Sequence, residues 1–191
     1  MKLLGGVDPP LTYRVSGLKG SDTLGGGLIR DPGEVEGVYA IRQGTLVNSN
    51  YTIAFTNGMF SINYAVTIPP LKSPATLGSA VPVSWQLKDA QGNIISSLST
   101  LTLMQSVFNG PAPASGVCVA SSVGTVETLY SPATGATGKS GFRFVDTTQS
   151  FQFNWDTTTA STTITGKGCY TVLITLNDPL AVRSTTPVLL K

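Results

Sequence analysis

The 191-residue chain contains no histidine. That removes the commonest general base and the commonest metal-binding side chain together. Ser-His-Asp and Cys-His catalysis are excluded with it, as is any zinc site built on imidazole. Charge is scarce too: Asp, Glu, Lys and Arg supply 12% of the residues, against about a quarter in an average globular domain. Twelve basic and ten acidic side chains leave a net charge of +2. The basic residues form no cluster, so the electrostatic footprint of a nucleic-acid binder is missing. No apolar run approaches the roughly 18 residues that a membrane-spanning helix needs. The opening Met1-Lys2-Leu3-Leu4-Gly5-Gly6-Val7 is too short for a secretory signal with its apolar core, and the chain reads as a processed piece of something larger. Sulfur is limited to two cysteines, Cys118 and Cys169, in no C-x-x-C spacing.

What is present suits β structure. Hydrophobic residues make up 41% of the chain, with 21 Gly and 12 Pro. Many threonines stand beside Val, Ile or Tyr, as in half-buried strands joined by tight turns. Aliphatic and aromatic residues are spread evenly, which argues against disorder. The fold class expected is all-β, as two small β-sandwich, Ig-like or β-grasp-like domains in tandem. Cys118 and Cys169 admit two readings: a pair of reactive thiols, and, favoured, a disulfide closing a loop of about 50 residues. In the chain-entropy model such a bond contributes about 4 kcal/mol, and it implies an oxidising compartment.

The first unit is expected over residues 1–66, with a short N-terminal lead. Thr12-Tyr13-Arg14-Val15 alternates like a strand, residues 17–23 carry turn chemistry, and residues 24–30 return as a strand loosened by Gly25-Gly26-Gly27. Asp31-Pro32-Gly33 and Asn48-Ser49-Asn50 are turn signals flanking Gly37-Val38-Tyr39-Ala40-Ile41. Tyr51, Ile53 and Phe55 share one face of a following strand, and Asn57-Gly58 predicts a type I′ hairpin into Met59-Phe60-Ser61-Ile62. Over residues 9–64 these landmarks resemble the MBG family of tandem domains in bacterial extracellular proteins, with Val15-Ser16-Gly17-Leu18, Gly20-Ser21-Asp22-Thr23-Leu24 and Gly44-Thr45-Leu46 in matching order. The resemblance implies a small, mostly β module that occurs in strings.

A proline-rich junction, Ile68-Pro69-Pro70-Leu71-Lys72-Ser73-Pro74, separates this unit from a second one expected over residues 67–191. Val81, Val83, Trp85 and Leu87 alternate with Pro82, Ser84 and Gln86. Asp89-Ala90-Gln91-Gly92-Asn93 is a turn, residues 98–108 read as one or two strands, and residues 117–130 place Val117, Val119, Val123, Val126 and Leu129 at mixed spacing. A loop is expected over residues 131–140. Phe142-Arg143-Phe144-Val145-Asp146 and Phe151-Gln152-Phe153-Asn154-Trp155-Asp156 read as a hairpin, and residues 169–176 as the last clear strand. Across residues 69–178 the pattern resembles the PxKF-type domain found near the C-termini of secreted bacterial proteins. Ser84 and Trp85 stand where that family's motif has lysine and phenylalanine.

No catalytic set, cofactor site or metal site is expected. Asp31, Glu34 and Glu36 are the densest acidic group. They read as a calcium loop or, since the spacing fits no EF-hand, as a solvated acidic turn. Trp85 and Trp155 read as sugar-stacking platforms or, in alternating strands, as core. Asn50-Tyr51-Thr52 fits the glycosylation rule, most simply by chance. A Lys to Asn or Asp isopeptide bond requires three side chains buried together, which sequence cannot place. The function expected is a non-catalytic structural or adhesive module of a secreted or cell-surface bacterial protein. Its partners would be neighbouring domains, copies of itself, or surface glycans, with no nucleic acid and no membrane insertion in this segment. Two alternatives stand beside it: a fibre subunit donating residues 2–7 or 186–190 as a strand, and a carbohydrate-binding accessory of a secreted enzyme.

Overall fold

In the computed structural model, which describes residues 1–136, 140–158 and 166–191, four strands form the first sheet. They are β1 (Lys2–Leu3), β2 (Ile29–Arg30), β3 (Gly37–Arg42) and β4 (Gly58–Asn63), in the order β1-β4-β3-β2. β3 and β4 run antiparallel, with Tyr39 opposite Phe60 and Gly37 opposite Ile62. β1 joins β4 in parallel, Lys2 opposite Ile62. The buried face is small: Phe60, Ile62 and Leu46 carry it. The other face leaves Met59 82% exposed and Val38 56% exposed.

The predicted hairpin at Asn57-Gly58 does not form. Neither residue has the positive φ that a type I′ turn requires. Gly58 instead opens β4 opposite Ile41, whose side chain lies 3.5 Å from where a glycine Cβ would stand. The strand predicted at residues 12–15 is also absent, and that at residues 24–30 shrinks to Ile29–Arg30 plus one bridge from Gly25 to Val47. Gly26 explains the loss: it holds φ +85°, and a Cβ there would meet the Thr45 carbonyl oxygen at 2.1 Å. The chain is kinked against its neighbour at that point.

Partners change at Tyr64. The next strand, β5 (Ala65–Thr67), pairs antiparallel with β6 (Ala80–Lys88), Ala65 opposite Lys88. A 3₁₀ turn at Leu98–Thr100 leads into β7 (Leu101–Gly110). There follow β8 (Thr125–Ser131), β9 (Gly135–Ala136), β10 (Gly141–Val145), β11 (Ser150–Asp156), β12 (Gly168–Leu176), β13 (Val182–Ser184) and β14 (Val188–Leu190). One sheet has the order β10-β11-β6-β5, and the other β13-β12-β7-β8-β9, with β14 also on β12. The predicted β10–β11 hairpin is present, Val145 opposite Ser150. In place of the loop expected at residues 131–140, β8 continues to Ser131 and β9 folds back on it, while residues 137–139 lie outside the described residues.

The two sheets close on one core. Val81, Val83, Trp85 and Leu87 point inward from β6, Phe151, Phe153 and Trp155 from β11, and Tyr170, Val172, Ile174 and Leu176 from β12. This is the period-two pattern of a sandwich. Trp85 stacks on Phe142 and Phe151 at 5.7 and 5.4 Å. Trp155 meets Tyr170 edge-on at 5.6 Å, joining the sheets. Burying each large apolar side chain contributes roughly 1.5–3 kcal/mol, so this half carries most of the cohesion.

Candidate functional site

The structure concentrates its unusual chemistry at the seam between the first sheet and the sandwich. The turn Asn177-Asp178-Pro179 leaves β12 beside Tyr64. The Tyr64 amide donates to Asp178 Oδ2 at 3.1 Å, and the Tyr64 hydroxyl donates to Asn177 Oδ1 at 3.0 Å. Asn177 Nδ2 donates to Glu36 Oε1 at 2.8 Å, and the Leu180 amide donates to Asn63 Oδ1 at 3.2 Å. Arg183 Nη2 donates to Asp178 Oδ2 at 2.5 Å, and the Asp178 side chain is wholly buried. Burial, with Glu36 close by, pushes the Tyr64 hydroxyl well above the usual phenol range.

The N-terminal lead completes the seam. The Leu4 amide donates to the Asn63 carbonyl at 2.9 Å, and the Leu4 carbonyl accepts from the Ala90 amide at 2.8 Å. Gln91 Nε2 donates to the Gly5 carbonyl at 2.8 Å. Leu4 itself packs against the sandwich core. One short segment therefore bonds to β4 on one side and to the turn after β6 on the other. Residues 2–7, weighed from sequence as a free strand donor, are engaged in their own chain. The same holds at the other end: Val188–Leu190 is buried and paired with β12.

The acidic group is dispersed, not gathered. Glu34 accepts from Lys2 and Arg30, Asp31 pairs with Arg42, and Glu36 faces Asn177. Among the described residues no three acidic or sulfur side chains are placed to hold a cation. Lys2 and Arg30 also reach Asp8, at 2.7 and 2.5 Å. The Arg30 guanidinium lies over the Tyr39 and Phe60 rings at 5.2 and 5.1 Å, a cation–π arrangement. These bonds tie the lead to the first sheet.

Hydrogen bonds from Arg30 and then Lys2 hold the Asp8 carboxyl down to about 2, and the same cations, Lys2 first, lower Glu34. Both folded values lie below the unfolded ones, so their stabilisation is complete at neutral pH and disappears as pH falls below about 4 toward Asp8's folded value. Amide exchange of Lys2, Leu3 and Leu4 is expected to accelerate across that window while β6 and β12 stay protected. Uniform behaviour of all three segments would contradict the assignment.

Cys118 and Cys169 form a disulfide with a Cα–Cα distance of 5.5 Å. It fastens the loop of residues 111–124 to the start of β12. Polar bonds help: the Ser121 amide donates to Thr171 Oγ1 at 3.2 Å, and Asn109 Nδ2 donates to the Ser121 carbonyl at 3.1 Å. Val117, Val119 and Val123 of this loop are largely exposed. They lie outside the strands. Trp85 and Trp155 are both fully buried, so neither is available to stack on a sugar. Buried Asp178 is partnered by an arginine and not by the lysine that an isopeptide bond requires. Asn50 lies exposed in the expected turn, its amide bonded to Asn48 Oδ1. The seam was illegible in sequence because Asn177-Asp178-Pro179 reads as an ordinary turn.

Residues 1–61 match the family model of the MBG domain (YGX type), a bacterial extracellular-type domain. The match takes in the lead that the structure adds to the first sheet. No curated protein and no solved structure matches the chain.

Proposed function

We propose that the chain is a non-catalytic structural or adhesive module of a secreted or surface-exposed bacterial protein, acting as a stiff spacer. The observation that carries this reading is the seam. An MBG-type unit and a sandwich are joined through a single residue, Tyr64, and clamped by bonds from Asp178, Asn177, Leu180 and Leu4. Such a joint resists bending, unlike the flexible linkers that usually let domains move independently. The disulfide between Cys118 and Cys169 fits an oxidising environment. Low charge and the missing histidine leave no base or nucleophile constellation to favour catalysis.

The sandwich is read as a PxKF-type domain on its sequence pattern. Trp85 fills the core position of that motif, while Ser84 faces away from the core opposite Gln152. Neighbouring domains and further copies are the partners this reading calls for, ahead of surface glycans. The test is ¹⁵N relaxation of the intact chain. One rotational correlation time for β3–β4 and for β6–β12 is expected. Two distinct times would remove the spacer reading.

A further inference from the structure

Residues 13–18 and 51–56 flank an open groove of about 470 Å³ in the first unit, floored by Leu24 and Leu46. Its volume falls within the range of sites that enclose organic ligands. Neither wall belongs to a strand. Among the described residues, no backbone amide or carbonyl of residues 13–18 or 52–56 bonds to another backbone group. Yet the sequence of the second wall is that of a strand: Tyr51, Ile53 and Phe55 are half-buried, and Thr52, Ala54 and Thr56 are exposed. One end is closed by the Tyr51 hydroxyl, which donates to Asp22 and accepts from the Lys19 amide.

We propose that this groove is an acceptor site for an extended peptide strand of another polypeptide, apolar at alternate positions and acidic beside Arg14. Unpaired peptide groups along both walls select a ligand that is itself a backbone, since only a strand offers donors and acceptors at the matching repeat. Arg14 is the charged side chain lining the groove, and among the described residues no ion pair or hydrogen bond engages it, which sets the sign of the ligand's charge. A second copy is a poor donor, because its strand-forming ends, Lys2–Leu3 and Val188–Leu190, are already paired within their own chain. The site is independent of whether the chain serves as a spacer.

The probes are two nine-residue peptides of alternating valine and threonine, one ending in glutamate and its twin in lysine. They are titrated into the intact chain and followed by amide hydrogen exchange. Free chain should show unprotected amides at residues 13–18 and 52–56, and the glutamate peptide should slow them about tenfold. The lysine twin should bind about threefold more weakly, as befits an exposed charge pair, and Arg14→Glu should invert that order. Thr52→Pro removes one donor from a wall with no internal bonds. It should leave thermal unfolding unchanged and weaken the peptide. Three results would overturn the proposal: no protection by either peptide, protection already present in the free chain because the walls close on each other, or protection that rises with protein concentration because a second copy fills the groove.

Discussion

Removing the Cys118–Cys169 cross-link, by reduction or by Cys118→Ala with Cys169→Ala, is expected to lower the unfolding free energy by about 4 kcal/mol. The linked residues are 51 apart in sequence, and loop-closure entropy for that length sets the figure. The loss is a large share of the roughly 5–15 kcal/mol that separates a typical folded domain from its unfolded chain. Its consequence should be local first. Residues 111–124 keep few bonds besides those at Ser121, so this loop should become the first site of proteolytic cleavage. Denaturant melts of the oxidised and reduced chain, read beside the cleavage map, measure both effects. A difference below about 1 kcal/mol would mean that the disulfide constrains a loop which the unfolded chain already holds close.

Asp178→Ala is expected to cost about 3 kcal/mol. Breaking a buried pair leaves the surviving charge unpaired, typically at 3–5 kcal/mol. Asp178 Oδ1 and Arg183 Nη1 have no hydrogen-bond partner among the described residues, which places this pair at the lower end. The Tyr64 amide also loses its acceptor. Combining Asp178→Ala with Arg183→Met should recover much of the loss, because no buried charge is then stranded. The effect should be visible beyond stability: β3 and β4 should tumble partly free of the sandwich, a change that ¹⁵N relaxation reads directly. Were the single variant as stable and as rigid as the parent, the seam would not be what joins the two units.

The sandwich was legible because its side chains obey local rules. Val81 to Leu87 alternate, and Phe142 to Val145 and Phe151 to Trp155 alternate on either side of a short turn. Burial then follows from period two alone. The two tryptophans were readable as core on the same ground. The first unit resisted because its glycines decide by contact and not by type. Gly58 follows Asn57 in a classical turn pair but sits in a strand opposite Ile41, and Gly26 is pinned against Thr45. The seam resisted for another reason. Tyr64 and Asn177 are 113 residues apart, and no local pattern announces that a polar turn will be buried by a distant strand end.

The strand β14 carries a consequence for how the sandwich is held shut. β14 lies between β12, which it pairs through Tyr170 and Val188, and the segment at Ala75 and Leu77, whose amides donate to the Leu189 and Lys191 carbonyls. β14 therefore latches the connection between β5 and β6 onto the sheet that holds β12, and peeling away Val188–Leu190 would release both attachments together.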